Sequence, residues 1–209
     1  GKWIEPSKVI KKENKYFYKN NNSLEELIKG RSEKMSKSKK NVIDPDEIIQ
    51  NFGCDTARLF MISDSPPARD LEWSIDGIKA TYKYLKKNFE YLTKDFTFIL
   101  NFPEDYKKNL SNEDLKIYKL SQKTIYDYTE DIINYRFNTA VAKLREFTNI
   151  IQKKKLVPKL KNYCWSIFLR LISIITPHYC EEIASLSGFK GLVCELSWPE
   201  YDKNYLKEE

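Results

Sequence analysis

Phe137-Asn138-Thr139-Ala140-Val141-Ala142-Lys143-Leu144-Arg145-Glu146-Phe147-Thr148-Asn149-Ile150-Ile151 places apolar side chains at Phe137, Ala140, Val141, Leu144, Phe147 and Ile151. Steps of three and four residues put such side chains on one stripe of an α-helix. The same spacing recurs upstream. Behind Ser74, which can cap a helix, come Ile78, Tyr82, Leu85, Phe89 and Leu92. Ser111 and Asp114 have the spacing of a capping box, ahead of Leu115, Tyr118, Ile125 and Ile132. Downstream, a fourth segment runs from about Leu160 to Ile175 and breaks at Thr176-Pro177. Four long amphipathic segments, with connections from a few to about fifteen residues, predict an antiparallel helix bundle over 74–209, its stripes forming core rather than cofactor contacts.

The first third has a different texture. Between Trp3 and Lys19, Val9 and Ile10 on one side and Tyr16, Phe17 and Tyr18 on the other flank the polar Lys11–Lys15, which predicts a β-hairpin. Asn20-Asn21-Asn22 reads as a loop, and Ser23 with Glu26 as the cap of a short turn. Asp44-Pro45-Asp46-Glu47 supplies an N-cap, a proline at the first helical position and acids in the first turn, for a short helix that stops at Gly53. Asp55-Thr56 starts another, which Pro66-Pro67 ends. The expected fold class is mainly α: a short β-hairpin and a loop region, followed by the bundle.

Composition excludes several classes. The chain has 209 residues, and 36 Lys+Arg against 30 Asp+Glu leave it at +6. Aromatics at 14% are too many for a disordered polyelectrolyte, and 6 glycines are too few for a complete nucleotide-binding α/β enzyme with its tight glycine turns. Cys54, Cys164, Cys180 and Cys194 show no zinc-knuckle spacing, so no metal site is expected and reduced, mostly buried thiols are. The most apolar segment, Cys164–Ile175, is short of the roughly 20 residues that span a bilayer, and Arg170 interrupts it. The start of the chain has no basic-then-apolar secretory pattern. The expectation is a soluble cytoplasmic protein without membrane contact.

Lys34-Met35-Ser36-Lys37-Ser38-Lys39-Lys40 alternates compact ammonium groups with hydroxyl donors, on a segment without periodicity just ahead of a helix start. Such a loop suits a polyanion, with phosphate as its natural ligand. A solvated basic loop or a localisation tag has the same composition.

The order of those residues is more specific. Lys34-Met35-Ser36-Lys37-Ser38 matches the KMSKS motif of class I aminoacyl-tRNA synthetases at all five positions, and Lys39-Lys40-Asn41-Val42-Ile43-Asp44-Pro45 resembles its continuation into the stem-contact region. Gly53-Cys54-Asp55-Thr56-Ala57-Arg58-Leu59-Phe60 and Pro66-Pro67 followed by Asp70-Leu71-Glu72-Trp73-Ser74 are similar to strings of the bacterial-type leucyl branch. Phe137–Ala142, Thr176–Ile183 and Trp198–Asp202 resemble segments of its helical domain. The resemblance is weakest before Arg31 and between Leu92 and Leu110.

This resemblance implies an enzyme that joins leucine to tRNA(Leu) through an adenylate formed from ATP with Mg2+. It implies that Lys37 is the catalytic ATP-contacting residue, assisted by Lys34, and that Lys34, Met35, Ser36, Lys37 and Ser38 form the ATP-binding loop, with Met35 as its apolar anchor. Lys39, Lys40, Lys83, Lys87, Arg145, Lys153 and Lys154 are candidates for tRNA contact through phosphates rather than bases, within a wider basic set that includes Lys86, Lys123 and Lys143. Asp55 and Arg58 are expected to cap and pair within the stem region, Trp73 to pack between loop and bundle, and His178 to be a local structural residue without an acidic partner nearby in sequence. The family's His-Ile-Gly-His motif is absent, since His178 is the sole histidine. The chain is therefore read as a C-terminal fragment, inactive alone and monomeric, with no DNA partner. It divides into 1–33 as a hairpin insertion, 34–73 as the KMSKS loop and stem-contact region, and 74–209 as the tRNA-binding bundle. The competing reading is a non-catalytic RNA-binding helical module.

Overall fold

The structure is a computed structural model that describes residues 2–5, 8–20, 23–31 and 33–206. It divides into two compact units, Gly1–Asn51 and Phe52–Glu209.

In the first unit three antiparallel strands lie in the order β1-β2-β3, with β1 at Val9–Lys12, β2 at Lys15–Asn20 and β3 at Ser23–Leu27. Val9 faces Tyr18 and Lys12 faces Lys15, so the predicted hairpin closes through a two-residue turn with Glu13 in the left-handed region at φ 51°. The expected Ser23–Glu26 cap is not formed. Those residues belong to β3, where Glu26 lies opposite Phe17 and its carboxylate takes a 3.0 Å contact from Lys15. An open edge of β2 outcompetes an isolated helical turn, because ladder bonds satisfy a whole row of backbone groups. Asn20, expected in a loop, ends β2 opposite Ser23, while Asn21 and Asn22 lie outside the described residues. After a 3₁₀ turn at Lys37–Lys39, helix α1 runs over Pro45–Phe52, as its cap and proline dictate.

The second unit is helical. Helix α2 is Cys54–Asp64, α3 is Ile75–Leu92, α4 is Glu104–Lys108, α5 is Asn112–Ile133, α6 is Phe137–Lys153, α7 is Pro158–Ile172 and α8 is Pro177–Leu186. Ser74 accepts from the Gly77 amide at 3.1 Å, and Ser111 from the Asp114 amide at 3.1 Å while its hydroxyl donates to the Asp114 carboxylate at 2.8 Å, so both sequence caps form. The predicted fourth segment starts two residues early, because Pro158 sits at the first helical position where its missing N–H costs nothing.

Helices α5 and α6 form a hairpin, and α7 packs on both. Residues 163–169 of α7 are buried without interruption, which makes it the central helix. Trp165, Phe168, Leu144, Phe147, Ile125 and Tyr128 meet in this core. Three polar rungs join α3 to α6: Arg145 to Thr81 at 3.4 Å, Tyr84 to Thr148 at 3.1 Å, and Gln152 to Asn88 at 2.6 Å. Each rung spans 64 positions and they advance in step, so α3 and α6 run in the same direction, as alternate helices of an up-and-down bundle must. Helix α4 has no stripe in the sequence and was not expected; its five residues are too few to show one. Tyr82, placed on the α3 stripe by its spacing, is exposed instead. No helix among the described residues is long and apolar enough to cross a membrane.

Candidate functional site

The Lys34–Asn41 loop is held by its own polar residues. Ser36 caps the 3₁₀ turn, its hydroxyl accepting from the Lys39 amide at 3.3 Å and lying 3.1 Å from the Ser38 hydroxyl. Asn41 closes the loop from the far end. Its side-chain oxygen accepts from the Ser36 amide at 2.8 Å, and its amide nitrogen donates to the Lys34 carbonyl at 3.4 Å. Lys40 takes the left-handed conformation, φ 53°, that turns the chain toward Asn41. Asn41 is the residue sequence reasoning passed over, although its place at the end of the Lys/Ser run and its two-way amide are what such a clamp requires.

The charges separate into two kinds. Among the described residues Lys34 and Lys37 are exposed and have no ion-pair partner, whereas Lys39 pairs with Glu33 and lies 5.9 Å from the centre of the Trp3 ring. An ammonium without a counterion keeps its charge for an incoming anion, and the two of them share this loop with the Ser36 and Ser38 hydroxyls. Met35, expected to anchor the loop on apolar neighbours, is 48% exposed.

On the bundle, Lys83 and Lys87 are exposed one turn apart on α3, and Lys153 and Lys154 are exposed at the end of α6. Lys154 lies 3.5 Å from Glu113, whose carboxyl is held below its ordinary pKa by Lys116 first and Lys154 second. Arg145 is different. Its guanidinium stacks 5.0 Å from the centre of the Tyr84 ring, inside the α3–α6 seam. Lys143 is drawn to the buried carboxylate of Asp131 at 2.7 Å, which Arg136 also meets at 2.8 Å.

Asp55 and Arg58 sit one turn apart at the start of α2 and act on the corner where α7 ends and α8 begins. Arg58 donates to the carbonyls of Ile175 at 2.7 Å and Ile174 at 3.1 Å. The Asp55 carboxylate accepts from the Tyr179 amide at 2.7 Å and meets His178 Nδ1 at 3.1 Å. A cation thus covers the negative end of α7 and an anion the positive end of α8, each satisfying backbone groups that a helix terminus leaves orphaned. The expectation that these two residues pair locally is corrected: both reach about 120 positions away, to a corner that Thr176-Pro177 forces open. His178 therefore does have an acidic partner, one that no local reading could show. Trp73 packs edge-on against Phe60 with ring centres 5.4 Å apart.

All four cysteines are free. Cys164 and Cys180 are buried as expected, but Cys54 and Cys194 are exposed. Among the described residues no group of three His, Cys, Asp or Glu side chains is arranged to hold a metal ion.

Residues 12–74 match the family model of the class I tRNA synthetases for isoleucine, leucine, methionine and valine, and residues 114–209 match the anticodon-binding domain of tRNA ligases. The leucine–tRNA ligase of Orientia tsutsugamushi is 41% identical over 192 residues, 89% of this chain and 21% of that protein. That of Dinoroseobacter shibae is 42% identical over 186 residues, 85% of this chain and 20% of the relative. The Rickettsia canadensis enzyme aligns over 98% of this chain and 24% of its own length, at 34% identity. Among solved structures, a leucyl-tRNA synthetase from Agrobacterium radiobacter K84, in a ternary complex with tRNA and LeuAMS, superposes with a TM-score of 0.74 at 26% identity, over 83% of this chain and 23% of that one. The chain spans less than a quarter of the length of these relatives. Over most of its residues the chain is homologous to one stretch of the leucine–tRNA ligases.

Proposed function

We propose that this chain is the part of a cytoplasmic, monomeric leucine–tRNA ligase that carries the KMSKS loop and the tRNA-binding bundle, with residues 1–33, 34–73 and 74–209 as its functional divisions. The observation that carries the reading is the pair of ammonium groups, Lys34 and Lys37, that have no ion-pair partner among the described residues, on a loop closed by Ser36 and Asn41. In leucine activation the carboxylate of leucine attacks the α-phosphorus of ATP and pyrophosphate leaves. Negative charge builds on the departing phosphates. A positioned ammonium that meets this charge more strongly in the transition state than in bound ATP lowers the barrier.

Lys37 fills that role and Lys34 assists, while Ser36 and Ser38 offer neutral donors. Mg2+ accompanies ATP, and this chain's described residues supply no cage for it. The loop acts by position, so it needs the surface that presents ATP and leucine, and the chain alone does not activate leucine.

For tRNA, Lys40, Lys83, Lys87, Lys153 and Lys154 offer exposed ammonium groups for phosphates, and Lys39 would exchange Glu33 for a phosphate. Arg145 contributes by fixing α3 against α6. Two measurements test the reading. Lys37→Ala in the full-length ligase should lower leucine-dependent pyrophosphate exchange at least about a hundredfold, roughly 2.7 kcal/mol of transition-state stabilisation; exchange at the wild-type rate sinks the assignment. Titration of this chain with tRNA at several salt concentrations should show binding that weakens as salt rises, with a slope reduced by about two units when Lys83 and Lys87 are both replaced by alanine. No binding at low salt removes the tRNA role.

A further inference from the structure

One cavity of the second unit is absorbed by none of these roles. It measures about 480 Å3 and opens between the start of α2, the middle of α3 and the start of α8. That size falls in the range of about 300–1,000 Å3 typical of ligand sites. Its walls are aromatic and aliphatic. Phe52 meets Tyr82 edge-on with ring centres 5.8 Å apart, and Phe89 meets Tyr179 at 6.2 Å, with Leu85 between them on the α3 side.

The mouth carries one ammonium group, that of Lys86. Lys86 reaches Glu90 only at 4.0 Å, with both side chains more than half exposed, so this pair is easily exchanged for a phosphate. His178 is exposed beside it. Both α2 and α8 begin at this cavity; Asp55 already covers the positive end of α8, whereas Gly53 gives α2 no side-chain cap. The one acidic residue lining it, Asp55, already has both carboxylate oxygens engaged, by the Tyr179 amide and by His178.

Aromatic walls below, with the Lys86 ammonium and the His178 imidazole at the rim, describe a nucleotide: a planar base that stacks and a phosphate that stays outside. We propose that this cavity receives an unpaired nucleobase of the tRNA, stacked against Tyr82, with the adjoining phosphate held by Lys86 and His178. The inference rests on the tRNA-binding role of the bundle and names a place for it. An apolar peptide side chain would fill the same walls but gives no use to the Lys86 ammonium at the rim, and double-stranded RNA keeps its bases paired, so the occupant is an unpaired or extruded base.

Cys54 stands exposed at the rim and serves as a natural reporter, while Cys194, exposed but outside the cavity, is its internal control. The whole chain is treated with iodoacetamide, with and without saturating tRNA, and the alkylation of each cysteine is followed by mass spectrometry. The expected result is a slowing of Cys54 by at least about fivefold with Cys194 unchanged. In parallel, Tyr82→Ala should weaken tRNA binding by about fivefold or more, and Tyr82→Phe should restore it, since every aromatic face can stack. If tRNA binds while Cys54 stays unprotected, or while Tyr82→Ala binds like wild type, the cavity is not the base site and the proposal falls, leaving the tRNA role intact. If tRNA does not bind at all, both fall. Protection of Cys54 that rises with protein concentration in the absence of RNA would put a second copy of the chain in the cavity, and would overturn the proposal equally.

Discussion

Replacing Asp55 by alanine should destabilise the bundle by about 2–3 kcal/mol. The carboxylate is nearly buried and accepts the Tyr179 amide at 2.7 Å. A hydrogen bond to a charged group contributes about 1.5–3 kcal/mol, and loss of an N-cap alone about 1 kcal/mol. The second contact, to His178, adds little, because the His178 side chain is 82% exposed and a pair of that kind contributes less than about 1 kcal/mol. Asp55→Asn keeps an acceptor for the amide but loses the charge opposite the α8 dipole, so about 1 kcal/mol should go. His178→Ala should cost no more than about 0.5 kcal/mol. Urea unfolding followed by the fluorescence of Trp165, fully buried in the core, reads these differences. With a slope near 2 kcal/mol per molar, the Asp55→Ala midpoint should fall by roughly 1–1.5 M and the His178→Ala midpoint by about 0.25 M. Amide hydrogen exchange at Tyr179 should accelerate in Asp55→Ala and not in His178→Ala. If the two variants lower the midpoint equally, the Asp55–His178 contact and not the amide cap holds the corner, and the reasoning from helix ends fails.

Arg58→Ala should cost about 1–2 kcal/mol by the same assay, and combining it with Asp55→Ala should give less than the sum, since both act on one corner. Burial pushes the Tyr84 hydroxyl up to about 12, against its hydrogen bond with Thr148 and the charge of Arg145. A raised phenol favours the folded state below the unfolded value near 10, so stability should fall as pH climbs from 10 to 12, and Tyr84→Phe should flatten that fall in unfolding midpoints taken across the range. Cys54 and Cys194 should be alkylated in the native chain while Cys164 and Cys180 react only on unfolding, because burial holds those two thiols well above their ordinary pKa. Glu181→Gln should quicken Cys194, whose thiol the Glu181 carboxylate pushes up. Asn41→Ala should raise amide exchange at Ser36 roughly fivefold or more, about 1 kcal/mol of loop closure, with helix α3 unaffected.

Much of the architecture was legible because it is local. The stripe from Phe137 to Ile151, the caps at Ser74 and Ser111 and the prolines at 45 and 177 each act within one or two turns, and the helices form where those residues place them. The Lys34–Ser38 loop was legible by its order. Helix α4 and strand β3 were not: α4 is too short for periodicity, and β3 exists only because β2 offers it an edge.

The sequence by itself determined where helices start and stop and which loop concentrates ammonium groups and hydroxyls, since capping, proline geometry and apolar spacing are contests between near neighbours. Tertiary structure alone decided which polar groups meet. Glu181 accepts the amides of Val193 and Cys194 at 2.8 and 2.9 Å, and Asp55 finds its partners more than 120 residues away. Packing sends Arg145 into the α3–α6 seam and leaves Tyr82, a stripe residue by spacing, at the open wall of a cavity. The reason is that a side chain's partners depend on how whole helices dock. Residue spacing along one helix fixes the face a side chain occupies, and only the neighbouring helices fix what that face meets.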